Sequence, residues 1–389
     1  MNRRTLAALA VASGLVLASA LIAPGSRRAL VTSTPSVAQA RLPARLADSA
    51  FARVIRRISE PGGYFDTDNL ISNESSYQHV LGKMGELRIQ GGAYIGVGPD
   101  QNFSYIAQVQ PRVAFILDIR RDNLLQHLWF KALFRQAPTR IEYLSLMFGR
   151  PAPRDPAVWA TRSIGELIEY IDETPADRSR FGAQWRALRT TIAGFGVPLS
   201  SEDLAKLEEI HTVFRDAGLD LRFSSHGLAP RESYPTYRRL LLESDRSGRQ
   251  ANYLVSEELF RRVRDLQERN LILPVTGDFA GNHALREIGA WLRETGERIT
   301  TFYASNVEFY LMQDRTFNRF AASLTALPLD PDGVIIRSLF GRIYGHPQSV
   351  AGYNSTQLLQ KLSSFASDFK AGAYGSYGDL VYRTYIDLR

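Results

Sequence analysis

The stretch "GGAYIGVGPDQNFSYIAQVQPRVAFILDI", residues 91–119, sets two glycines and an acid where a nucleoside could be held. Gly96 and Gly98 end a short apolar run, and glycine lets backbone come close to a ligand. Asp118 closes a second apolar run twenty residues after Gly98, the place from which an acid accepts hydrogen bonds from ribose hydroxyls. A tight turn and a helix-capping Asp would explain each feature singly. Together, with strands and helices alternating, they point to a nucleoside-type pocket. The same residues select against phosphate. A dinucleotide fingerprint needs a third glycine at position 101, where Gln101 stands, and Asp100 puts a carboxylate where pyrophosphate needs bare amides. A cofactor with a cationic centre and no phosphate meets no such conflict. S-adenosylmethionine, which carries a sulfonium and an ammonium group, fits.

A second cluster, "YFDTDNLISNE", gathers Asp66, Asp68, Asn69, Asn73 and Glu74 within residues 64–74. It reads equally as a lid, with Asn73 or Glu74 reaching the cofactor's ammonium group, or as an N-capped turn that starts a helix at Ser75. A calcium loop would need a fixed ligand ladder around a central glycine, which is missing here. The six histidines (79, 127, 211, 226, 283 and 346) make no H-x-x-x-H or H-E-x-x-H pair, so no metal site is expected. There is no cysteine, which excludes disulfides and thiolate sites, and no G-x-S-x-G elbow of a hydrolase. Phe115, Trp129 and Phe130 read as packing.

These residues need elements to hold them. "AYIGV" and "VAFILDI" are buried-strand patterns. "SEELFRRVRDLQERN" is a helix with Ser256 as N-cap and Leu259, Val263 and Leu266 on one stripe. It leads into the strand "LILPVTGDFAG", then the helix "NHALREIGAWLRETG" with Asn282 as N-cap and Gly296 as stop. "ITTFYASNVEFYL", the helix "RTFNRFAASLTAL" and "LDPDGVIIRSLFG" follow, and the tail "YGSYGDLVYRTYIDLR" suggests a closing strand or hairpin. Apolar strands separated by amphipathic helices imply an α/β fold: a Rossmann-like, doubly wound, mostly parallel sheet. Residues 123–250 carry mainly helical patterns and read as a large helical insertion or cap. The expected organisation is 1–40 as a leader, 41–122 as N-terminal helices and first half of the sheet domain, 123–250 as insertion, and 251–389 as second half.

At this point the chain resembles the class I S-adenosylmethionine-dependent methyltransferases, through "YIGVGPDQNF", "FILDIRRDN", "LPVTGDFAG", "FYASNVEFY" and "LDPDGVIIRS" in that family's order. The resemblance spans roughly residues 60–345 apart from the insertion. It implies that Gly96, Gly98 and Asp100 line the methionine end, Asp118 the ribose hydroxyls, and Asp278 with Phe279 the adenine. It also puts Asn306 and Glu308 at the fourth strand's end, Asn306 to orient a methyl acceptor and Glu308 to take its proton. Two departures stand out: Tyr94 and Ile95 occupy the place of an acid often found before the glycine turn, and Asp118 and Asp278 are 160 residues apart. The whole chain also resembles a family of uncharacterised exported bacterial proteins that share "FDTDNLISNE" and "GVGPDQNFSYI".

The leader "MNRRTLAALAVASGLVLASALIAPGSRR" has two arginines before an apolar run, as an export signal does, with "ASA" (18–20) or "AQA" (38–40) as cleavage sites. The rival is an uncleaved membrane anchor, and an exported or anchored protein is expected either way. The leader's four arginines account for more than half of the net charge of +7, and the others interleave with acids, so no nucleic-acid partner is expected. Two function classes remain: a methyltransferase-like enzyme of unknown acceptor, or an exported non-catalytic binding or scaffold protein that retains the fold.

Overall fold

The computed structural model describes residues 41–389 apart from 68, 226–227, 229–230 and 342–344. The leader, Asp68 and His226 therefore lie outside the described residues. Seven strands make one sheet: β1 (Ala93–Gly96), β2 (Val113–Asp118), β3 (Ile272–Thr276), β4 (Ile299–Ser305), β5 (Leu329–Phe340), β6 (Ser355–Lys361) and β7 (Tyr385–Ile386). Their order is β3-β2-β1-β4-β5-β6-β7. β1 to β5 run parallel, while β6 pairs antiparallel with β5 and β7 with β6. The protein is thus mixed α/β with a mostly parallel sheet. Every residue of β1, β2 and β3 is buried, as expected of parallel strands covered on both faces.

Helices cover the sheet in two sets. Gln101–Val109 packs on Glu257–Glu268, which also touches Arg121–Gln136. Asp48–Ile58 packs on Ala284–Thr295, which meets Phe317–Thr325, itself against Leu362–Lys370. Between β2 and β3 the chain is helical, with one isolated bridge, Arg222 to Thr236, among the described residues. These helices share the sheet's core: Leu167, Leu188 and Phe214 belong to the same buried cluster as Phe115 and Ile116. Among the described residues no helix is long and apolar enough to cross a membrane.

Most start and stop signals act as read. The Ser256 side chain accepts from Leu259 N, and Gly296 ends its helix in the left-handed region at φ 74°. Two expectations need correcting. His283, not Asn282, precedes the Ala284 helix, and no side chain caps it. The tail forms a short helix, Tyr377–Tyr382, and only the two-residue β7. The antiparallel partner of β5 is β6, "STQLLQK", whose two adjacent leucines sit among polar residues that hide a strand buried almost throughout.

Candidate functional site

The chain leaves β1 toward β2 and β3 on one side of the sheet and returns through β4 and β5 on the other. Between β1 and β4 the direction reverses, and a crevice opens beyond the carboxyl ends of the strands, where open sheets of this kind bind ligands. It encloses about 280 Å³. Gly98, Asp118, Asp278 and Phe279 line it from the ends of β1, β2 and β3, and Asn306 and Tyr310 from beyond β4. The 61–74 loop forms the remaining wall through Tyr64, Phe65, Thr67, Asn69, Ser72, Asn73 and Glu74. Gly63 N donates to Ile119 O at 2.8 Å, and the Phe65 ring sits edge-on to Tyr310 at 4.9 Å, which seats this wall; the helical turn that follows begins at Tyr77 rather than Ser75, and no side chain caps it.

The turn after β1 is built by side chains around glycine. Gly98 has φ 83°, a left-handed conformation that other residues rarely adopt. Asn102 Nδ2 donates to the carbonyls of Val97, Gly98 and Pro99, which locks the turn. His127 Nε2 donates to Gly98 O at 2.9 Å; burial pushes its pKa down to about 4, so the ring is neutral near pH 7. Beyond β4, Ser305 holds φ 52°, a strained value for a residue with a side chain.

The structure brings seven of the ten expected site residues to this crevice: Asn73, Glu74, Gly98, Asp118, Asp278, Phe279 and Asn306. Asp118 and Asp278 face one space because β2 and β3 are paired, with Asp118 opposite Thr276. Their commitments differ. Asp118 is gripped by Arg120, whose backbone N and Nε donate to Oδ1 at 2.9 and 3.1 Å and whose Nη2 donates to Oδ2 at 2.7 Å. Glu74 accepts from Tyr303 Oη and Gln357 Nε2, each at 2.7 Å, and from Ser305 Oγ. Asp278 keeps more capacity: its Oδ1 accepts from Ala280 N at 2.8 Å. Phe279 stacks on Phe320 at 5.4 Å while lining the crevice.

Three residues do not belong to it. Gly96 is required by packing rather than by a ligand, since a Cβ there would come within 2.0 Å of Asn102 Oδ1. Asp100 is buried away from the crevice and accepts from Tyr237 Oη at 2.6 Å and Tyr253 Oη at 3.2 Å; burial raises its pKa to about 6. Glu308 is buried in an ion pair with Arg337, Nε to Oε2 at 2.5 Å, and desolvation raises its pKa. It cannot reach a substrate beside Asn306. Sequence reading missed others. Gln101 lines the crevice, is 7% exposed, and its Oε1 has no hydrogen-bond donor among the described residues. Its Nε2 donates to Tyr303 Oη, which in turn donates to Glu74, so the amide's orientation is fixed. The substitution of Gln101 for a third glycine was the available signal; Arg120 and Tyr310 carried none.

The charged lining consists of Glu74, Asp118, Asp278 and Asp314 against Arg120, an excess of three negative charges among the described residues. That balance resists phosphate and tolerates a cation. Among the described residues no group of three or more His, Cys, Asp or Glu could hold a metal ion.

Comparison with known proteins adds one finding. A family described as a domain of unknown function, DUF7790, matches residues 70–192 and 200–384. The chain belongs to the DUF7790 family. No curated protein matches it. The DUF7790 match takes in most of the crevice wall from Ser72 to Thr316 and leaves out Tyr64, Phe65, Thr67 and Asn69 of the covering loop.

Proposed function

We propose that the crevice binds an adenosyl ligand without phosphate, S-adenosylmethionine, and that the protein is a methyltransferase-like enzyme on a Rossmann-like, doubly wound sheet. The observation that carries this reading is the meeting of Gly98, Asp118, Asp278 and Asn306, each just past or at the end of a parallel strand, around one acidic crevice. The β3-β2-β1-β4-β5 order and the two helix sets support the doubly wound reading. The helices between β2 and β3 then act as an insertion in it.

The residues present suit the ligand. The unpartnered Gln101 Oε1 can accept from an N–H donor, as an ammonium or an adenine amino group provides. Asp278 and the remaining lone pair of Asp118 can accept from hydroxyls. The Phe279 ring offers an apolar wall to a base. S-adenosylmethionine supplies a methyl group on a sulfonium. The chain's part is alignment and exclusion of water: Asn306 orients the acceptor and the 61–74 loop covers the site. With Glu308 removed from this role, Asp314 is the lining carboxylate that follows β4.

A second reading, an exported non-catalytic binding protein, is favoured by one observation: Asp118 and Glu74 are largely satisfied by the chain's own donors. Calorimetry of the full chain with S-adenosylmethionine and S-adenosylhomocysteine tests both. Binding of both, weakened about tenfold or more by Asp278→Asn through loss of a charged acceptor, is expected. No heat at millimolar ligand rejects the adenosyl reading, and binding without turnover across an acceptor panel favours the second.

A further inference from the structure

Beside the crevice lies a larger cavity of about 980 Å³. Asn73, Asn306 and Tyr310 line both spaces, so the two meet at the residues beyond β4. The larger one has the opposite polarity. Its described lining contains Arg231 and Arg239 and no acid, whereas the crevice carries four acids and one arginine. Aromatic rings of Tyr234, Phe309, Tyr353 and Tyr377 make up much of the wall.

The two arginines are not equivalent. Arg239 is occupied: its Nε donates to Glu243 Oε1 at 2.9 Å, and Tyr353 Oη donates to the other oxygen at 2.9 Å. Glu243 thereby fixes one side of the chamber. Arg231 is exposed, has no carboxylate at ion-pair distance among the described residues, and sits with its guanidinium 5.8 Å from the Tyr234 ring. A guanidinium held beside an aromatic face and facing an acid-free cavity suits a planar anion, because its forked N–H groups match a carboxylate.

We infer that this chamber is a second ligand site, for an aromatic carboxylate whose anionic end pairs with Arg231 and whose ring lies among Tyr234, Phe309 and Tyr353. The molecule's far end is then directed to Asn306 and the crevice. The chamber adjoins the site proposed above but its chemistry does not depend on what fills that site.

Calorimetric titration of the full chain with 1-naphthoate and with its uncharged amide, 1-naphthamide, is the test. Naphthoate is expected to bind about tenfold or more tightly than the amide. Arg231→Gln should lose that advantage, Arg231→Lys should recover part of it, and Arg53→Gln, on an exposed helix face elsewhere, should keep it. Unchanged thermal midpoints show that the variants are folded. Equal affinity for acid and amide, full naphthoate binding by Arg231→Gln, or no heat from either compound at millimolar concentration overturns the inference. Naphthoate binding by a chain that ignores S-adenosylmethionine upholds the chamber and rejects the functional reading.

Discussion

At the residue scale, burial decides which carboxylates can do chemistry. Glu308 lies two positions from Asn306, yet the two have different fates because the chain turns into a helix between them. Asn306 stays at the crevice rim, while Glu308 is carried inward to Arg337, which also donates to Gln360 Oε1 at 2.8 Å. Breaking a buried pair leaves an uncompensated charge, so Glu308→Gln should cost about 3–5 kcal/mol, measured by urea denaturation. Ligand affinity of the variant below its unfolding range should match the parent; a loss would return Glu308 to the site. Such a distinction was not legible in "ASNVEFY", where both residues look equally able to serve a strand end. Gly98, Asp118 and Asp278 were legible because each directly follows or ends a run apolar enough to be buried on both faces. The capture of Asp118 by Arg120 was not, since "DIRRDN" reads as well as an exposed turn.

At the scale of elements, the helix after β1 links two environments through adjacent residues. Gln101 faces the crevice, and Asp100 faces Tyr237 and Tyr253, which come from the helical segment between β2 and β3. Desolvation raises the Asp100 pKa to about 6 against the tyrosine hydrogen bonds that lower it. A carboxyl raised in the folded state binds its proton more tightly there than when unfolded. Its contribution is therefore favourable below the unfolded pKa near 4 and is lost as pH rises to about 6. The loss amounts to about 3 kcal/mol. Asp100→Asn removes this titration. Relative to the variant, the parent should weaken between pH 4 and pH 7 by that order in urea midpoints converted to free energy; parallel profiles would contradict the assignment. β6 shows why one element escaped sequence reading. Its glutamines are buried because Gln357 answers Glu74 and Gln360 answers Arg337, partners distant in the chain. Local patterning holds no trace of them.

At the scale of the whole molecule, the strand order creates the crevice and the 61–74 loop covers it, while the family match takes in the strand ends and only the last part of the loop, from residue 70. The alternation of strands and helices made the parallel sheet readable, but the position of each side chain depended on contacts between segments as far apart as Asp118 and Asp278, 160 positions along the chain. The central claim is that the space between these strand ends holds an adenosyl group. Amide hydrogen exchange of the full chain, with and without S-adenosylhomocysteine, tests it most directly. Exchange should slow in residues 64–74, around Gly98 and in 305–311, and stay unchanged along the outer face of Arg178–Gly194. Unchanged exchange at the strand ends under millimolar ligand, or slowing confined to other segments, would contradict the account.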